Sequence, residues 1–167
     1  DFTVNALALS IARPFDAEPL VIDPFGGIKD AQARVLRKVS DSVFDDDPLR
    51  MMRAIRLSTQ YRLEIEQETW ESLVSKSDLL PSTSPERARD ELIRLFSCSR
   101  ASTGVRLLCD SGLMEVLVPE MKGWADVSGY GLLSHSMAVL SEADRLLENI
   151  SEEAFPGLSD KLTEYFM

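Results

Sequence analysis

"FDDDPLRMMRAIR", from Phe44 to Arg56, sets three aspartates in a row before a proline and then three arginines at intervals of three residues. Asp47 followed by Pro48 reads as a helix start: aspartate is a favoured N-cap and proline a favoured first helical residue, and the preceding acids complement the positive end of the helix dipole. At about 100° per residue, Arg50, Arg53 and Arg56 share an arc of roughly 120°, while Met51, Met52 and Ile55 share the opposite one. The apolar arc predicts a helix seated on a core. Capping does not explain the cationic arc, because like charges at this spacing repel one another by about 0.2–0.5 kcal/mol per pair.

Outward from this helix the pattern is almost entirely helical. "KDAQARVLRKV" (29–39) places Ala33, Leu36 and Val39 on one side, which predicts a helix before it. "EQETWESLVSKSDLL" (66–80), "PERARDELIRLFSCS" (85–99, opened by Ser84 and Pro85), "ASTGVRLLCDSG" (101–112), "LMEVLVPEM" (113–121) and "LLSHSMAVLSEADRLLENI" (132–150) follow it, with a glycine-rich connection around Gly123 to Gly131. Upstream, "PLVIDPFGG" (19–27) reads as a short strand entering a tight turn at Gly26 and Gly27. The expected fold is mainly α, a short strand and turn followed by a stack of helices. "DFTVNALALSIA" opens in mid-pattern and "LTEYFM" closes abruptly, so both ends are expected to be cut.

Among 167 residues, 44% are apolar, which suits one ordinary domain or parts of two. No stretch approaches the roughly 20 apolar residues of a membrane span, and no leader pattern opens the chain. Cys98 and Cys109 are too few for a disulfide framework and are expected to be reduced core residues; a cytoplasmic location follows. His135 is the only histidine, so no zinc-type cluster is expected; it reads as a partly buried structural residue. Trp70 and Trp124 read as packing residues. The net charge of −10 opposes nucleic-acid binding through the overall field. Half of that charge lies from Ser141 to Met167, where seven acids face two bases, so a local cationic site survives elsewhere.

A carboxylate only accepts hydrogen bonds, and a guanidinium only donates them, in a planar fork. An Asp and an Arg one helical turn apart therefore offer an acceptor beside donors. Cytosine and adenine each carry an exocyclic amine beside a ring acceptor, the complementary pattern, whereas uracil and guanine carry a carbonyl where that amine would be. Asp47 and Arg50 are thus candidates for selecting C and A by protein alone.

In order along the chain, "DFTVNALAL", "IDPFGGIKD", "DDPLRMMRAIR", "SPERARDELIRLF" and "LCDSGLMEVLVPEM" resemble the successive motifs of the class II tRNA nucleotidyltransferase and bacterial poly(A) polymerase family, over about residues 1 to 121. The resemblance implies the end of a nucleotidyltransferase head domain (1–28), an all-α neck with the base-reading helix (29–97) and the start of an all-α, RNA-binding body (98–167). It implies that Asp47 and Arg50 read the incoming base and that Arg53, Arg56 and Asp46 line the nucleotide pocket, Asp46 standing where the family usually has Glu. Asp1 and Asn5 would stand near the ribose, Gly26 and Gly27 would form a hinge, and Glu86 or Arg87 would brace head against neck.

The implied activity is addition of C and/or A, from CTP and ATP, to the 3' end of tRNA or another RNA, with Mg2+ held by carboxylates of the head. Those carboxylates would precede Asp1, so no catalytic or metal-binding residue is expected in this stretch, which alone should be inactive. A poly(A) polymerase of the same family is the nearest alternative. From another class, the chain would be a non-catalytic helical RNA-binding or adaptor domain with its arginines on phosphates.

Overall fold

The computed structural model describes residues 1–10, 20–122 and 131–149. Trp124 and the acidic run after Asn149 lie outside them, as does all but the last residue of the glycine-rich connection. Helices α1 (Gly27–Ala33), α2 (Val43–Asp46), α3 (Leu49–Tyr61), α4 (Gln67–Ser75), α5 (Pro85–Phe96), α6 (Ala101–Asp110), α7 (Leu113–Leu117) and α8 (Leu132–Asn149) dominate. Short 3-10 turns at Thr3–Asn5, Ser77–Ser82 and Pro119–Met121 interrupt them. The fold is mainly α.

Helix α3 is the axis. Its apolar arc is buried as the periodicity predicts, with Met51, Met52, Ala54 and Ile55 inaccessible or nearly so, and it packs against α5 and α6. Each such large side chain contributes about 1.5–3 kcal/mol relative to exposure. Ser58 ends the helix: its carbonyl accepts the amides of Arg62 and Leu63 and its hydroxyl donates to Leu63 O, while Arg62 turns left-handed at φ 56°. On α6, Gly104 lets the three helices close, since a Cβ there would lie 2.9 Å from Thr59 Oγ1 and 3.0 Å from the Leu95 methyls.

Among the described residues there are also four two-residue strands: β1 (Ala8–Leu9) antiparallel to β2 (Val21–Ile22), and β3 (Val35–Leu36) parallel to β4 (Glu64–Ile65). The strand expected in "PLVIDPFGG" is β2. The helix expected over 29–39 is not formed beyond Ala33. Arg34 adopts φ 56° and the chain extends through Val35 and Leu36, because Leu36 gains a fully buried place and the ladder to β4 satisfies its backbone. Phe2 and Thr3 add to this ribbon from the other side, with Thr3 N donating to Arg37 O at 2.9 Å. Phe2 is fully buried, and the core runs continuously from it to Met114, across positions 28–29 and 97–98. The helix expected over 66–80 also stops early, at Ser75, before a 3-10 turn containing Pro81.

Helix α8 seats Met137 and Leu140 against the core, and Asp144 accepts the Ser102 amide at the start of α6 at 2.8 Å. His135, expected to be partly buried, is exposed: it lies about 200° around the helix from Leu133, away from the side that packs. Cys98 and Cys109 are free, as expected, but only half-buried, each at the margin of a helix contact. No helix among the described residues is long and apolar enough to cross a membrane.

Candidate functional site

The first turn of α3 follows directly on α2, so Asp45, Asp46 and Asp47 diverge around a tight junction. Asp45 pairs with Lys76. Asp46 accepts from Ser42 Oγ at 3.1 Å and lies 3.9 Å from Arg50 Nη1. Asp47 has extended backbone; its carbonyl accepts the Arg50 amide and its Oδ1 accepts the Leu49 amide at 3.3 Å, which is the capping role expected of it. Its Oδ2 accepts from Arg87 Nη2 at 2.8 Å, across from α5. Burial alone would push the Asp47 carboxyl up, but the Arg87 guanidinium, the Leu49 amide and the charge of Arg50 hold it below its ordinary value.

Arg50 does not pair with Asp47. Its Nε is 2.8 Å from Asp1 Oδ1 and its Nη1 donates to Val43 O at 3.0 Å. The other oxygen of Asp1 is 2.7 Å from Arg53 Nη2. Asp1 thus bridges two of the three arginines. The Nε groups of Arg50 and Arg53 are buried without a well-aligned acceptor, so the contact of Arg50 Nε with Asp1 is one of charge more than of directed hydrogen bonding. Arg50 Nη2 makes no hydrogen bond to the described residues, and Asp47 keeps one lone-pair site open on each oxygen.

Arg56 stands apart from this group. Its Nε donates to Glu91 Oε2 at 2.6 Å and its Nη1 to Gln60 Oε1 at 2.8 Å, and with Arg94, Ser97, Cys98 and Ser99 it lines a cavity of about 440 Å³. Arg53 and Arg87 line a different cleft of about 250 Å³ with Leu49, Asp90, Glu91 and Arg94. The candidates therefore fall into a group at the start of α3 (Asp1, Asp46, Asp47, Arg50, Arg53, with Arg87) and a separate position two turns on (Arg56). Asn5 closes its own turn by accepting the Phe2 amide at 2.9 Å. Glu86 is exposed on the first turn of α5, whereas Arg87 joins α5 to Asp47.

The Gly26–Gly27 turn has a local explanation. Gly26 takes φ 73°, open to glycine without strain. At Gly27 an added Cβ would lie 2.0 Å from the Thr3 carbonyl oxygen. Asp23 accepts the Gly27 and Ile28 amides at 2.7 and 3.0 Å, and the amides, that of Ile28 foremost, hold its carboxyl below the ordinary range. Asp30 accepts from Thr3 Oγ1 at 2.7 Å and Arg37 Nε at 3.1 Å. Asp30 thus ties α1 to Thr3, two residues from Asp1, while Asp23 holds the start of α1.

Residues 62–124 match the family described as "Probable RNA and SrmB-binding site of polymerase A". The CCA-adding enzyme of Lactobacillus johnsonii is 34% identical over 125 residues, 74% of this chain and 30% of that protein. The A-adding tRNA nucleotidyltransferase of Deinococcus radiodurans is 37% identical over 127 residues, 73% of this chain and 28% of that protein. A solved structure, the Thermotoga maritima CCA-adding enzyme complexed with tRNA-CCA, superposes with a TM-score of 0.67 at 31% identity, over 71% of this chain and 29% of that one. These matches support the class II tRNA nucleotidyltransferase and bacterial poly(A) polymerase family for this chain. It spans about 30% of the length of the curated tRNA nucleotidyltransferases it matches.

Two roles in this segment escape a reading of sequence. Glu91 is 5% exposed and receives both Arg56 and Arg94. Its signal is a carboxylate at a core position, between Ala88 and Leu95 on the buried stripe of α5. The service of Asp1 to the arginines carries no local signal, since it joins residues about fifty positions apart. The magnesium that the family implies does not fit the residues present: no three His, Cys, Asp or Glu among the described residues gather as ligands, and the three aspartates at 45–47 go to separate partners.

Proposed function

We propose that this chain is the base-selecting part of a template-independent RNA nucleotidyltransferase that adds C and/or A, from CTP and ATP, to the 3' end of tRNA. The observation that carries this reading is the arrangement of Asp47 and Arg50. They lie one turn apart at the start of α3, each held by a partner other than its neighbour, with a lone-pair site on each Asp47 oxygen and the Arg50 Nη2 donors uncommitted among the described residues. This set complements the amine and ring acceptor of cytosine or adenine. A uracil or guanine carbonyl set against the Asp47 carboxylate would leave buried acceptors unpaired, at a cost on the order of 1–3 kcal/mol each. The relatives named as CCA-adding and A-adding enzymes support the same reaction class.

In this reading Arg53 flanks the same pocket. The assignment of Asp1 and Asn5 to the ribose, and the division into head end (1–28), neck (29–97) and body (98–167), rest on the family resemblance. No step is routed through magnesium. The two free cysteines support a cytoplasmic setting.

The test is single-nucleotide addition by the full-length protein on tRNA lacking its 3' end, with each nucleotide offered separately. Arg50→Ala is expected to lower kcat/KM for CTP relative to UTP, and for ATP relative to GTP, far more than it weakens tRNA binding. Equal losses for all four nucleotides would overturn base selection. Addition of A alone would assign the protein to A-adding or poly(A) chemistry.

A further inference from the structure

We propose that Arg87 is a positioning residue for base selection, keeping Asp47 from closing onto Arg50. The inference rests on the base-selecting role of Asp47 and Arg50 and deepens it. An aspartate and an arginine three residues apart at a helix start are natural partners for each other. Were they to pair, the Asp47 acceptor and the Arg50 donors would cancel, and no pattern would remain for a base to meet. The structure gives each a different partner instead.

Arg50 is drawn to Asp1 and to Val43 O. Asp47 is drawn the other way by Arg87, at 2.8 Å, over a separation of 40 residues. Apart from Arg87, the Asp47 side chain holds only the 3.3 Å contact with the Leu49 amide, too long to fix a carboxylate rotamer. Its extended backbone at the α2–α3 junction adds no helical restraint. Arg87 is itself well anchored at its root: it is the third residue of α5, and its amide donates to the Ser84 Oγ cap. Its guanidinium is half-exposed and lines the cleft that Arg53 shares, so Arg87 reaches Asp47 from the surface and not from the core.

The experiment compares Arg87→Ala, Arg87→Lys and Arg50→Ala in the full-length protein, measuring kcat/KM for all four nucleotides on tRNA lacking its 3' end, together with the melting temperature. Arg87→Ala is expected to lower the CTP-over-UTP and ATP-over-GTP ratios by about tenfold or more, the scale of one lost charge-assisted hydrogen bond. The melting temperature should move little. Arg87→Lys, which keeps the charge without the fork, is expected to restore part of both ratios. If Arg87→Ala slows all four nucleotides equally, or leaves the ratios intact while Arg50→Ala collapses them, Arg87 has no part in selection and the inference fails alone. If Arg50→Ala also leaves the ratios intact, base selection by this helix fails with it.

Discussion

The two ends of the arginine stripe on α3 are built differently. At the first turn, Arg50 and Arg53 share one carboxylate, Asp1, and their side chains stay 25% and 33% exposed. Two turns on, Arg56 meets Glu91 at 13% and 6% exposure, wedged where α3 meets α5. The first arrangement has more donors than acceptors and is the more exposed of the two, which suits exchange with a ligand. The second has a nearly inaccessible carboxylate committed to two arginines, both lining the cavity of about 440 Å³, which suits holding two helices in register. A single sequence period therefore carries two arrangements, and only tertiary surroundings separate them.

The sharpest test of that contrast is Glu91→Ala, which strands Arg56 in the interior. It should destabilise the protein by about 3–5 kcal/mol in chemical denaturation while leaving nucleotide preference unchanged. A loss below about 1 kcal/mol would erase the distinction between the two ends. Gly27→Ala tests how the outer end is held. With the new methyl overlapping the Thr3 carbonyl, the turn carrying Asp1 must shift, costing about 1–3 kcal/mol and loosening Arg50 and Arg53 together.

Asp1→Asn, which removes the shared charge itself, should cost about 1 kcal/mol, less than Glu91→Ala because water can replace the lost partner. Smallest is the effect of Arg87→Ala on stability, below about 1 kcal/mol for so exposed a guanidinium. Its pH dependence has a definite sign. The folded Asp47 carboxyl lies below its ordinary value, so the pair's contribution is complete above the unfolded value near 4 and is lost as pH falls through the lower folded one. Parent and variant melting curves should converge in that acid range.

Helices α3 and α5 were legible in sequence because their information is local: an Asp-Pro or Ser-Pro start, then a stripe every three or four residues. The same locality made Arg50, Arg53 and Arg56 look equivalent. Their differences come from Asp1 and Glu91, partners 49 and 35 positions away, which no window of sequence contains. Residues 35–39 depart from the helical expectation for a related reason. Their helix-compatible spacing is overridden by a ladder to residues 64–66 and to the first three residues, and a two-residue strand is too short to show alternation. His135 followed an apolar neighbourhood in sequence that the helix distributes over two faces.

The reach of Asp144 to the Ser102 amide has a practical use. That proton is held by a helix arriving 42 residues later, so its exchange with solvent reports directly whether α8 is seated. One backbone resonance can then follow the docking of α8 while the remainder of the protein stays folded.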